Sequence, residues 1–339
     1  MDDPTGARDS GPRRAARRLI AVPTPAIFLS SIMVAVALLV WQGTLGRVAA
    51  VAGTIDWRLA ALAAGLYACG LGLLAFRWHA LVRMAGGGPS APVSAEVFLT
   101  SVVVNYAAPI GLAAPARAAL SKRDLGLAAS GSGAVVLWEA ALDLGMLAVI
   151  GSLWLALGGI DAARLLAGPG RGWAAAMGVA AAVAALAVAA VAAVFPRARA
   201  VIRRLAGEAI GLPARRPRWA AAAALLTVVF WLLQLQVFAL LLAAVGQPSP
   251  AVLVLGLMGW PLFAGMVSPL PGGAGVREAL MVGVAGIAGA DGAAVLLAAL
   301  LYRLALVAGL PVVYGLARLW RGIDIGGAGR PEGATGRGR

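Results

Sequence analysis

Six charged residues stand inside or at the edges of long apolar stretches: Arg117, Glu139, Asp143, Arg277, Glu278 and Arg303. Glu139 and Asp143 are four positions apart, which puts both carboxylates on one face of a helix. Arg277 and Glu278 follow SPLPGGAG, Ser268 to Gly275, after the single residue Val276. A charge at the centre of a bilayer costs at least ~2.5 kcal/mol on insertion scales, so each of these must pair or face water. Guanidiniums in such a place suit phosphate, and carboxylates suit a cationic headgroup or acid–base work. The three arginines also balance the three acids one for one, so a neutral internal network that only locks the fold would carry the same residues. His79 is the sole histidine and Cys69 the sole cysteine. That set argues against a histidine-based zinc site, a Ser/His/Asp triad and an intrachain disulfide, and no metal or cofactor is expected.

The elements that hold these residues follow from composition. The chain has 339 residues, 61% of them hydrophobic and 12% charged. Its apolar runs are long enough for transmembrane helices, which need about 20 residues each. Together these predict an all-α polytopic membrane protein. The net charge of +14 is not a nucleic-acid footprint, because the arginines collect between spans and at the tails, as the positive-inside rule requires.

Spans are predicted at 26–41, 57–76, 131–157, 173–195, 219–245 and 293–317, with a basic tail at 1–25 and an unstructured one at 321–339. Arg77, His79 and Arg83 read as interface anchors, as do Trp57 and Trp219. The arginines between 197 and 218 read as topology determinants that could also touch anionic lipid headgroups. Two further apolar regions are interrupted. The 93–120 region breaks at Pro109 and Gly111 and has basic residues on both flanks, so it should enter from the cytoplasm and return. The 251–290 region breaks at Pro269, Pro271, Gly272, Gly273 and Gly275 and has no basic flank, so it should dip in from the opposite face. Proline removes a backbone donor and glycine permits a left-handed turn. Exposed backbone at membrane depth is tolerated only beside protein or water. The predicted fold is therefore six full crossings and two re-entrant broken-helix hairpins, with both termini cytoplasmic.

Shifting the chain by 162 residues lays Pro109 on Pro271, Gly111 on Gly273 and Trp57 on Trp219. It also lays 57–157 on 219–319, with opposite predicted orientation. That is the hydropathy pattern of an inverted-topology repeat, whose binding site usually lies at mid-membrane between the halves.

FRWHALVRMAGG (Phe76 to Gly87), NYAAPIGLAAPARAALSKRDLG (Asn105 to Gly126), VLWEAALDLGML (Val136 to Leu147), SPLPGGAGVREAL (Ser268 to Leu280) and LLYRLALVAGLPVVYGL (Leu300 to Leu316) resemble, in order, the landmarks of the lysylphosphatidylglycerol synthase transmembrane region, or flippase-like domain, family. The resemblance spans about 26–320. It implies a membrane-embedded lipid-handling domain, fused in some relatives to a soluble aminoacyl-transferase. Two family positions differ: the Gly-Glu of the first hairpin is Ala113–Ala114 here, and the arginine after the span glutamate is Ala140. A headgroup contact through the missing glutamate is therefore not carried over. A short Gly/Arg tail follows the last span, so synthase activity is not carried over either.

The expectation is a non-enzymatic lipid translocator in a bacterial plasma membrane. Its substrate would be an anionic or aminoacylated phospholipid or a lipid-linked glycan. The alternatives are an accessory subunit for a separate aminoacyl- or glycosyl-transferase, and an intramembrane enzyme using Glu139 or Asp143. In a Cys69→Ala background, cysteines placed near Arg123 and near Asp291 should be labelled from opposite sides of the membrane. Labelling of both from one side would refute the orientation.

Overall fold

The computed structural model describes residues 52–107, 113–158, 209–268 and 275–328, with the isolated positions Met33, Gly207 and Gly273. The spans expected at 26–41 and 173–195, the tail at 1–25 and the turn residues Pro109, Gly111, Pro269, Pro271 and Gly272 lie outside the described residues.

Among the described residues every regular element is helical. In chain order they are α1 (Trp57–Met84), α2 (Ala91–Ala107), α3 (Ala113–Leu125), α4 (Ala129–Ala156), α5 (Pro217–Ala244), α6 (Ala251–Met258), α7 (Trp260–Val267), α8 (Val276–Ala288) and α9 (Gly292–Ala328). A helical segment at 209–215 leads into α5. α1, α4, α5 and α9 are long and apolar enough to cross a bilayer. Their outward faces stay apolar: Leu62, Leu225, Leu232, Val312 and Leu316 are all more than half exposed. Helices that are hydrophobic all round need lipid or protein on every side.

Local chemistry sets the boundaries. Asp56 caps α1 by accepting hydrogen bonds from the backbone N–H of Arg58 at 2.9 Å and Leu59 at 3.3 Å. Pro217 opens α5, where a missing N–H costs nothing. Gly259–Trp260–Pro261 divides α6 from α7, since Pro261 has no N–H to give the preceding turn. The region expected as one arm is thus two short helices in succession.

Lengths recur in order over the first three units of each set, while the fourth differs, 28 residues in α4 against 37 in α9. α1 and α5 have 28 residues each. α2 has 17, and α6 with α7 covers the equal stretch 251–267. α3 and α8 have 13 each. α1 and α5 pack side by side and antiparallel. The Asp56 N–H donates to the Ala244 carbonyl at 2.8 Å, joining the start of α1 to the end of α5. Arg216 Nη1 donates to the Arg83 carbonyl at 2.6 Å, joining the other two ends. α9 runs in the direction of α1, with Tyr302 against Tyr67, Gly309 beside Ala68 and Leu71, and Trp320 against Phe76. α4 runs in the direction of α5, since Trp138 donates to the Ala209 carbonyl and Asp143 meets Trp231.

The short helices cross between the two sets. α2 packs on α9, while α6 and α7 pack on α4. The α4 seam is tight and apolar. A Cβ on Gly256 would lie 2.6 Å from the Trp154 indole, one on Gly151 2.7 Å from the Trp260 indole, and one on Gly259 2.5 Å from the Gly151 backbone. The α9 seam is ionic. Glu96 on α2, only 1% exposed, accepts from Tyr314 Oη at 3.2 Å, Arg318 Nη1 at 2.9 Å and Arg321 Nη1 at 2.6 Å.

Those contacts correct the expected tail. The chain from Arg321 to Ala328 is helical rather than unstructured. Arg318 and Arg321 are tied to Glu96, and the Trp320 ring lies 5.8 Å from that of Phe76, so the helix has tertiary partners as far as Arg321. With 37 residues, α9 is about 55 Å long, and it must project beyond a hydrocarbon core of about 30 Å.

Gly259→Ala should lower stability by ~1–3 kcal/mol through overpacking, read as a lower unfolding midpoint in detergent. Gly145→Ala on the exposed side of α4, where a Cβ meets nothing within 4 Å, should leave that midpoint unchanged or raised.

Candidate functional site

The charges within the bundle gather into two adjoining groups. The first is centred on Arg77, in the last third of α1 and 1% exposed. Its guanidinium forms a two-pronged contact with Asp143 on α4, Nη1 to Oδ1 at 2.5 Å and Nη2 to Oδ2 at 2.8 Å. It also reaches Glu139 Oε1 and Thr227 Oγ1, each at 3.5 Å. Glu139, one turn before Asp143, takes a second guanidinium through its other oxygen, from Arg117 Nη1 on α3. Arg117 is held from three more sides. Its Nε donates to Ser101 Oγ at 2.8 Å, and its Cζ lies 5.3 Å from the Trp78 ring centroid and 5.5 Å from that of Phe98. Trp231 Nε1 on α5 donates to Asp143 Oδ1 at 3.0 Å. Two carboxylates thus meet two guanidiniums, and the group is neutral.

The second group sits where α8 begins. Gly275 takes φ +84° and Gly273 φ +65°, values that a side chain rarely tolerates. A Cβ on Gly273 would also fall 2.6 Å from the Gly265 carbonyl oxygen, so the chain returns in contact with α7. Glu278, in the first turn of α8, accepts from the Gly275 N–H at 2.8 Å and faces the positive end of the helix dipole. It is shared by Arg303 on α9, Nε to Oε1 at 2.9 Å and Nη2 to Oε2 at 3.0 Å, and by Arg277 Nε at 3.1 Å. The Arg277 guanidinium lies over the Tyr302 ring, 5.5 Å from its centroid.

α5 joins the groups. Trp231 and Gln234 are three apart and hence on one face. Trp231 bonds Asp143 of the first group, and Gln234 Oε1 accepts from Tyr302 Oη at 2.8 Å in the second. A continuous buried line therefore runs from Arg117 through Glu139, Arg77, Asp143, Trp231, Gln234 and Tyr302 to Arg277, Glu278 and Arg303. It crosses both sets of helices.

All six charged candidates lie on this line, and all six have oppositely charged partners. Of the turn residues, Gly273 and Gly275 line the start of α8. Arg77 is a correction: it is the centre of the first group and not an interface anchor, because Asp143 and Glu139 meet it seven residues inside the end of α1. His79 and Arg83 stay at that end, beside Trp219. Sequence reasoning passed over Glu96, Trp231, Gln234 and Tyr302. A lone glutamate in the apolar run PVSAEVFL and a glutamine at the middle of α5 were signals for two of them. Among the described residues no group of histidine, cysteine, aspartate or glutamate could hold a metal ion.

Removing one member of a buried pair strands the other. Asp143→Leu should therefore destabilise the protein by ~3–5 kcal/mol, and Arg77→Met with Asp143→Leu should recover most of that loss. Unfolding midpoints in detergent read both, and a single variant as stable as the parent would refute the pairing.

A family model described as lysylphosphatidylglycerol synthase TM region matches residues 26–313. No curated protein and no solved structure matches the chain significantly. With apolar helices that can cross a bilayer and a family match over most of its length, the chain is a multi-pass membrane protein that belongs to the lysylphosphatidylglycerol synthase transmembrane-region family.

Proposed function

We propose that this protein moves a phospholipid or a lipid-linked headgroup across the bilayer, between two oppositely oriented halves. The halves are α1–α4 and α5–α9, each contributing a re-entrant hairpin, α2–α3 or α6–α8, and both chain termini are cytoplasmic. The antiparallel packing of α1 on α5, the recurring helix lengths and the crossing of each hairpin onto the long helix of the other half support this arrangement.

The buried line of charge carries the functional reading. Four guanidiniums, from Arg77, Arg117, Arg277 and Arg303, face three carboxylates, from Glu139, Asp143 and Glu278. The line therefore carries one excess positive charge, the complement of a single phosphodiester. Guanidinium forks match phosphate oxygens as well as they match carboxylates. A phosphate entering between the halves would take over contacts that Glu139 makes to Arg117, or Glu278 to Arg277. The released carboxylate would then accept a cationic headgroup. Each exchange swaps one ion pair for another, so no bare charge is left in a low-dielectric setting. The role is binding and passage, with no bond made or broken.

Reconstituted protein should equilibrate a fluorescent phospholipid between leaflets. Arg277→Gln should reduce that rate by at least about tenfold, the scale of one lost charge-assisted contact. Arg117→Lys keeps the charge and loses the fork, and should slow movement with little loss of stability. If no lipid moves from a broad panel and a transferase co-purifies, the protein is an accessory subunit. If the lipid is chemically changed by this chain alone, it is an enzyme.

A further inference from the structure

We propose a second lipid contact, away from the buried line: a site for the phosphodiester of an anionic phospholipid where the end of α1 meets the start of α5. Three arginines, Arg83, Arg216 and Arg218, stand at that junction. Arg83 and Arg218 each lie 5.6 Å from the Trp219 ring centroid, so the two are at most twice that distance apart. Arg216 reaches from the other helix to donate to the Arg83 carbonyl at 2.6 Å, and its guanidinium lies beside Gly86. His79 closes the inner side, its ring edge-on to Trp219 at 6.0 Å between centroids and its Nδ1 3.1 Å from Ser94 Oγ.

No carboxylate among the described residues forms an ion pair with any of these three arginines. The end of α1 accounts for part of this charge, since Arg83 lies in its last turn and Arg216 donates to the Arg83 carbonyl; Arg218 belongs to the start of α5, where the dipole does not favour it. Arg216, the residue before α5, provides no side-chain cap, so the first N–H groups of that helix have no side-chain acceptor from it. Surface guanidiniums ordinarily swing in water at little cost. These are held by an indole and a carbonyl before any ligand arrives, and that prior ordering lowers the entropic cost of gripping a phosphate.

Position selects the source of the phosphate. The site caps two spanning helices at one end, with the exposed Leu225 on the adjoining face of α5, so a bound headgroup could leave its acyl chains along apolar surface. An anionic headgroup there would bridge α1 and α5, the antiparallel pair at the middle of the bundle. This site does not depend on the transport reading.

Lipid retention in native mass spectrometry, with the full chain in detergent, tests the proposal. Phosphatidylglycerol should bind in preference to phosphatidylcholine, and the preference should weaken as salt rises. Arg216→Gln with Arg218→Gln should lower phosphatidylglycerol affinity by about tenfold, the loss expected from charge-assisted contacts. Both side chains are exposed, and although the bond to the Arg83 carbonyl is lost, α1 stays packed along α5 and joined to it by Asp56 and Ala244, so an unchanged unfolding midpoint is expected. Trp219→Leu keeps every charge and loses the scaffold, and should also weaken binding. Inorganic phosphate alone should compete only weakly; competition at equal concentration would make the ligand free phosphate and overturn the lipid assignment. Undiminished phosphatidylglycerol binding by the double variant would overturn the site. Because lipid movement is measured separately, a protein that transports nothing could still pass this test, and one that transports could fail it.

Discussion

The structure depends on one constraint: a charge within the hydrocarbon must find its counter-charge inside the protein. Arg77 shows how strictly this is met. Two prongs to Asp143, a further contact to Glu139 and a hydroxyl at Thr227 surround a guanidinium that is almost wholly buried. α1 and α4 are thereby locked at one depth, since sliding either by a turn would move a charge away from its partner by ~5.4 Å, and Thr227 and Trp231 hold α5 to the same node by hydrogen bonds. Arg117 adds α3 to the same node, and Ser101 adds α2.

The same constraint works differently on the two crossing seams. Between α2 and α9 the contact is a buried glutamate held by a tyrosine and two half-exposed arginines. Between α4 and the α6–α7 pair it is tryptophan laid against glycine. The ionic seam lies where water can reach the guanidiniums, whose side chains are 45% and 38% exposed, so part of their hydration survives. The apolar seam has no charge to solvate and relies on close approach, which glycine allows and any Cβ would block. The protein therefore has two matching seams with unlike chemistry.

Turn chemistry and charge chemistry meet at the start of α8. Left-handed backbone at Gly273 and Gly275 brings the chain back against Gly265, and the freed N–H of Gly275 is taken by Glu278. Glu278 then serves three partners at once: its own helix terminus, Arg277 and Arg303. Arg277 sits where the helix dipole opposes it, and the Tyr302 face and the Glu278 carboxylate offset that opposition.

Much of this is legible in the sequence. Hydropathy marked the four long helices among the described residues, and glycine marked the turn before α8, where Gly273 and Gly275 take positive φ. The six charges were visible as exceptions in apolar sequence, and Glu139 and Asp143 were visibly on one face, since helical periodicity is local. Partner choice was not legible. That Asp143 meets Arg77, 66 positions earlier, and Arg303 meets Glu278, 25 positions earlier, follows from which helices touch and in which direction they run. Arg77 looked like an anchor because sequence reports distance from a helix end and not the neighbour on its flank. The end of α9 looked like tail because it leads into glycine- and arginine-rich sequence, and the contacts of Arg318, Trp320 and Arg321 to Glu96 and Phe76 carry the helix past the expected boundary. Sequence by itself determined where apolar helices form and where they must break. Tertiary structure alone decided which buried charges neutralise one another, because an ion pair is set by proximity in space, and no local pattern encodes it.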